Sequence, residues 1–119
     1  MYVNKSDRSI VFAGSMPQGA RVKLCLLPGF EVIDAAVAEF SRFKTQEPDA
    51  DALIMFSCAG RQMALGMHVS DEIDRIKNMW EAPMTGFFCF GEIGRVAGGN
   101  HEFNNMTCSL AMLREKTSS

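Results

Sequence analysis

The stretch Ala52-Leu53-Ile54-Met55-Phe56-Ser57-Cys58, running into Ala59-Gly60-Arg61, decides how the rest of this chain is read. A continuous apolar run of strand length, without polar alternation, marks a strand covered on both sides. Past Arg61, a short helix-like piece carries Met63, Ala64, Leu65 and Met67. A buried strand feeding a helix places the chain among folds that pack helices on a sheet.

Working outward toward the N-terminus, the polar loop Thr45 to Asp51 contains Pro48, and before it a helix is predicted from about Phe30 to Lys44. Ile33, Val37, Phe40 and Phe43 recur at helical spacing, with Val32 and Ala36 widening the stripe. Further back, Ser9 to Ala13 and Arg21 to Leu26 read as two strands around a Gly14-to-Gly19 turn containing Pro17, a hairpin entering the core. Toward the C-terminus, Ser70 is a suitable N-cap for a helix with Asp71 and Glu72 in its first turn. Val69, Ile73, Ile76 and Trp80 line one face of that helix, and Ala82-Pro83 ends it. Thr85 to Ile93 is the next strand, Gly94 to Glu102 a loop, and Asn105 to Leu113 the last strand. The predicted architecture is α+β: a mixed sheet of about five strands with helices packed on it, in the order strand, strand, helix, strand, helix, strand, strand. A right-handed helical crossover makes the strands at 52 and 85 parallel, so Arg61 and Glu92 should emerge at the same end of the sheet.

A length of 119 residues bounds the chain to a single domain, 1–119, burying roughly 65% of its unfolded surface. Only residues 115–119 read as a frayed tail. Apolar content of 47% beside 22% charged residues is globular composition. A net charge of −2 with scattered Lys and Arg lacks the footprint of nucleic-acid binding. Apolar runs fall short of a membrane span, and the opening Met1 to Arg8 is polar, so the expected compartment is the cytoplasm. Cys25, Cys58, Cys89 and Cys108 form no CxxC and pair with no nearby His; they read as reduced, structural thiols, with Cys58 held open.

Three constellations carry chemistry. Ser57-Cys58-Ala59-Gly60-Arg61 lies where a strand opens into a helix, a junction that presents N–H groups and an Arg fork to an anion, or else a turn, a cap and a surface Arg. Gly86-Phe87-Phe88-Cys89-Phe90-Gly91-Glu92 ends in a carboxylate flanked by glycines; it either receives a ligand amine or pairs with Arg61 or Arg95. Asn104, Asn105 and Thr107 supply donors and acceptors before the last strand. His68 and His101 have no partner at metal-ligand spacing, and no GxSxG elbow supports His101 as base to Cys58 or Ser57. Met63, Met67, Met79, Met84, Met106 and Met112 are core or, if they converge, an adaptable wall.

Taken together, Ser57-Cys58-x-Gly60-Arg61, Gly86-Phe87-Phe88-x-x-Gly91-Glu92-Ile93 and Asn105-x-Thr107 resemble the C-terminal part of the FIST domain. Phe12-Ala13-Gly14, Pro17-x-Gly19 and Leu65-Gly66 extend the resemblance over about residues 9–113. The resemblance implies a sensory input domain of bacterial signalling proteins, also found in eukaryotic F-box proteins, that binds small ligands such as amino acids. Haem-linked nitric oxide sensing and a protein-interaction module are the alternatives. The motif residues it carries over are Ser57, Cys58, Gly60, Arg61, Gly86, Phe88, Gly91, Glu92, Asn105 and Thr107; with Asn104 they make up the expected ligand site, in which Arg61 and Glu92 clamp the two charges of an amino acid. Family members usually carry His where this chain has Asn104, which puts any imidazole role there in doubt. No catalytic residue, metal or cofactor is expected. The expected partners are a small molecule, the longer N-terminal half of a complete FIST region or a signalling output domain, and a second copy pairing along the final strand, without nucleic acid or membrane.

Overall fold

The computed structural model describes residues 2–12, 14–23, 29–95 and 98–116. At its centre the apolar run forms β3 (Ala52–Cys58), flanked in parallel by β4 (Met84–Cys89) and antiparallel by β7 (Cys108–Leu113). Leu53 lies opposite Met84 on one side and Met112 on the other, and this register carries through to Ser57 opposite Phe88 and Cys108.

Alternation along these strands sorts the residues onto two faces. Leu53, Met55, Met84, Leu110 and Met112 point one way, toward α1 (Glu31–Gln46) and α3 (Val69–Trp80). There Leu53, Trp80 and Ala82 form the buried centre, packed by Phe40, Phe43, Met79 and Met84. The Trp80 indole N–H donates to Glu47 O at 2.9 Å, which gives a buried ring its polar partner. On the opposite face lie Ile54, Phe56, Phe87, Ala111 and Leu113, with Phe87 59% and Leu113 49% exposed. The rings of Phe56 and Phe87 meet edge-on at 5.2 Å across that face.

The α+β layering is as predicted, and several elements are placed differently. The strands divide among three sheets rather than one. β1 (Tyr2–Val3) pairs with β2 (Ile10–Val11), and β5 (Glu92–Gly94) with β6 (Glu102–Asn104), each an antiparallel two-stranded ribbon. Ile10–Val11 therefore turns back on the N-terminus instead of forward onto Arg21 to Leu26. The reason is the turn chemistry of the polar opening. Asn4 Oδ1 accepts from Ser6 N and Oγ, Asp7 Oδ1 accepts from Ser9 N and Oγ, and Arg8 adopts φ 61°. Arg21 to Lys23 is irregular, and the remainder of that expected strand, Leu24 to Leu26, lies outside the described residues.

Ser70 is not an N-cap. α2 (Ala59–Leu65) ends at Gly66, where φ is 56°, and a 3₁₀ turn at Gly66–His68 leads directly into α3; the Ser70 hydroxyl donates back to Met67 O at 2.9 Å. The predicted strand over 85–93 breaks at Phe90-Gly91 into β4 and β5. A Cβ on Gly91 would fall 2.4 Å from the tip of the exposed Phe103 ring, so a larger residue there requires that ring to shift. β6 occupies the end of what reads as a loop, and the last strand starts at Cys108 rather than Asn105.

Candidate functional site

Because β3 and β4 run parallel, α2 and β5 both leave the sheet at the same end, where the sequence motifs gather. Arg61 and Glu92 do share this end, and each is turned inward: Arg61 is 5% and Glu92 1% exposed. An Arg and a Glu at such burial require partners.

Arg61 finds its partner in Glu72. Its Nε donates to both carboxylate oxygens, at 3.1 and 3.0 Å, and its Nη2 to Oε1. Nη2 also donates to Val32 O at 3.2 Å and Nη1 reaches Met106 O at 3.5 Å. One guanidinium thus ties α2 to α3, to the first turn of α1 and to the loop entering β7. The hydrogen bond to Glu72 raises the Arg61 pKa further above its ordinary value. Glu92 is held separately. Its Oε2 accepts from Thr107 N at 3.3 Å and from Thr107 Oγ1 at 3.0 Å, and Cys89 Sγ lies 3.4 Å from its Oε1. Cys58 N donates to Thr107 O at 3.0 Å, so β3, β5 and the segment before β7 are stitched at one residue. Burial, with the Glu72 and Glu92 carboxyls nearby, pushes the Cys108 thiol up to about 12. Burial and the hydrogen bond to Glu92 raise the Cys89 thiol as well.

Nine of the eleven residues expected to bind ligand therefore separate into three groups, with Asn104 and Asn105 apart from them. Arg61, Glu92 and Thr107 form internal polar braces, and the expected clamp of Arg61 and Glu92 on an amino acid is replaced by Arg61–Glu72 and Glu92–Thr107. Cys58, Gly60 and Gly91 support them: a Cβ on Gly60 would meet Met106 Sδ at 2.8 Å, and Gly91 admits the Phe103 ring. Asn104 Nδ2 donates to Glu102 O at 3.0 Å, and Asn105 is exposed. Ser57, Gly86 and Phe88 belong to the third group.

These three line a cavity of about 200 Å³ between β4 and α3, with Met55, Ile73 and Met84. Ser57 is 3% exposed, and its hydroxyl is the one buried side-chain polar atom without a partner among the described residues. A larger hollow of about 330 Å³ lies at the opposite end of the sheet, lined by Phe43, Glu47, Met112 and Arg114. Its charges are engaged, Arg114 with Glu47 at 3.1 Å and with Asp49 O at 2.7 Å.

Glu72 is the residue that sequence reasoning missed. It is fully buried, and with Ile76 and Trp80 it marks positions four apart on the buried face of α3. The signal was present: an acidic residue in register with an apolar stripe needs a cation, and Arg61 precedes it by three helical turns. The methionines do not converge, since Met79, Met84 and Met112 join the core while Met63 and Met67 are 83% and 89% exposed. His68 stacks near Phe30 at 4.1 Å, His101 is exposed, and among the described residues no His, Cys, Asp and Glu group could hold a metal. Cys58, Cys89 and Cys108 are free thiols, and Cys25 lies outside the described residues.

Helices on one face of a mixed sheet, braced at one end by buried carboxyls, define a two-layer α+β domain. The chain belongs to the FIST C domain family, whose model matches residues 1–95, and FIST C is a signal-transduction-associated domain. The match takes in the Ser57–Arg61 and Gly86–Glu92 motifs and stops before Asn105 and Thr107. No curated protein and no solved structure matches the chain. Among the described residues no helix is long and apolar enough to cross a membrane.

Proposed function

We propose that this chain is the small-molecule-binding, signal-input domain of a cytoplasmic bacterial signalling protein, with its ligand in the groove between β4 and α3. The observation that carries this reading is the unpartnered Ser57 hydroxyl on the wall of an apolar cavity. A buried hydroxyl without a partner loses about 1–3 kcal/mol, which a ligand acceptor or donor would restore. At about 200 Å³ the groove is smaller than drug-sized sites and suits a compact metabolite. The amino-acid class is kept for its side chain: an apolar side chain fills the groove while the charged head stays in water at the mouth. Arg61 and Glu92 support the site from behind. The reading is non-catalytic, consistent with two thiols, Cys89 and Cys108, whose raised pKa values disfavour the nucleophilic thiolate.

The test is a thermal-shift screen of amino acids and related apolar-bodied metabolites against the chain and Ser57→Ala. A ligand at 100 times its Kd stabilises by about 2.7 kcal/mol. The expected result is a compound that raises the melting temperature of the wild type and shifts Ser57→Ala much less. Equal shifts in both proteins, or none in either, would overturn the groove as the site.

A further inference from the structure

The chain exposes 9411 Å² of surface, against about 6,400 Å² for a compact monomer of 13.1 kDa. Its radius of gyration is 17.0 Å, where a compact chain of this length has about 13.5 Å. Residues 2–30 contribute to the excess of about 3,000 Å² per chain, since nearly all the described positions there are exposed; obligate dimers bury about 1,000–2,500 Å² per partner, so the surface available is ample. Part of it is concentrated along β4, an edge strand whose four central residues, Thr85 to Phe88, are all exposed. Phe87, Phe88 and Phe90 are 59%, 36% and 92% exposed.

The backbone of this edge is equally open. Leu53 N donates to Pro83 O, which fixes the side of β4 that faces β3. Backbone polar groups alternate sides along a strand. Those of Thr85 and Phe87 therefore face β3, and those of Met84, Gly86 and Phe88 face outward, with no hydrogen bond to them among the described residues. Edge strands that stay single are normally protected by Lys, Pro or a bulge. From Ala82 to Gly91 there is no charged residue, and Pro83 precedes the strand rather than interrupting it. The other edge of the sheet is partly shielded, because β5 packs beside β7 and Gly94 lies against Ser109.

We propose that two copies of this chain pair through β4, antiparallel about a two-fold axis at Gly86, to form a six-stranded sheet. A two-fold axis perpendicular to the sheet maps the strand onto itself reversed, and Gly86 then faces its own copy while Met84 faces Phe88 of the second chain. An uncharged strand offers a charged partner nothing to pair with, whereas a second copy is as neutral as the first. The pairing satisfies the outward N–H and C=O groups of Met84, Gly86 and Phe88 and keeps both helical layers on the same side. A strand laid there also walls the open side of the Ser57 groove, but the dimer rests on the strand edge and not on the ligand reading.

Sedimentation equilibrium of the full chain, without ligand, tests the proposal, together with amide hydrogen exchange. The expected mass is twice 13.1 kDa at high micromolar concentration. Amides of Met84, Gly86 and Phe88 should be protected in the dimer and exchange freely on dilution, while those of Thr85 and Phe87 stay protected throughout. Phe88→Pro removes an N–H that only the dimer uses, so it should weaken association at least tenfold relative to Phe88→Ala. A monomer at high concentration overturns the inference. So does a dimer that leaves the three outward amides exchanging freely, because it must use another surface.

Discussion

Glu72→Gln removes the charge that neutralises Arg61 while keeping the size and one acceptor of the side chain. Both groups are out of water, at 5% and 0% exposure, so the guanidinium keeps the amide oxygen, Val32 O and Met106 O as acceptors but has no counter-charge. Breaking one side of a buried pair costs about 3–5 kcal/mol, and the retained amide oxygen places Glu72→Gln near the lower figure. With an unfolding entropy of about 2.1 cal/mol/K per residue, a loss of about 3 kcal/mol over 119 residues lowers the melting temperature by about 12 °C. Trp80 is the chain's only tryptophan and is buried on the same helix, so its fluorescence during urea titration follows the transition directly. Glu39→Gln, which breaks the exposed pair with Arg42, is the control and should change stability by about 1 kcal/mol or less. The double variant Arg61→Met with Glu72→Leu should recover much of the loss, since a buried ion pair replaced by apolar side chains is often neutral. If Glu72→Gln costs no more than Glu39→Gln, or if the two substitutions simply add, the brace is solvated and the reasoning fails.

Two other outcomes follow from particular contacts. A Cβ on Gly86 would lie 2.2 Å from Met55 O, a backbone atom of the neighbouring strand, so Gly86→Ala should cost about 1–3 kcal/mol in chemical denaturation. Gly14→Ala, with nothing within 4 Å, should change stability by about 0.5 kcal/mol or less. The Cys108 pKa, raised from 9.0 to about 12, makes stability pH-dependent in one direction. Below pH 9 the thiol is neutral in both states and its contribution is fully present; between pH 9 and 12 the unfolded chain alone releases the proton, and stability falls by up to about 1.4 kcal/mol per pH unit. Cys108→Ala should flatten that alkaline limb in denaturation midpoints measured from pH 8 to 11.

The elements legible in the sequence are those whose signal is burial. The run Ala52–Cys58 is a central strand at its predicted bounds, and the Ile33, Val37, Phe40 and Phe43 stripe is the inner face of α1. Parallel pairing of β3 with β4 followed from the helical crossover that joins them. What escaped were features set by local hydrogen bonding or by contacts distant in sequence. The Asn4 and Asp7 turns redirected β2 to the N-terminus, and the strand breaks at Phe90-Gly91, where the Phe103 ring packs against the glycine. For the site, Ser57, Gly86 and Phe88 stood among the eleven expected residues but in two separate motifs, and the charges of Arg61 and Glu92 were read as outward-facing. Without Glu72 and Thr107 in view, a buried brace and a ligand clamp present the same residue types.

The position of β3 between β4 and β7 has a consequence for how the chain is made. The crossover from β3 to β4 closes over about thirty residues through two contiguous helices, whereas β7 returns from fifty to sixty residues away. On a ribosome adding about 5–20 residues per second, β4 is complete roughly one to five seconds before Leu113 exists. Through that interval the β7 side of β3, with Leu53, Ile54, Met55 and Phe56, has bare backbone groups and apolar neighbours. The strand that organises the finished sheet is therefore an exposed template for wrong pairing in the nascent chain, and the last strand acts as its cap.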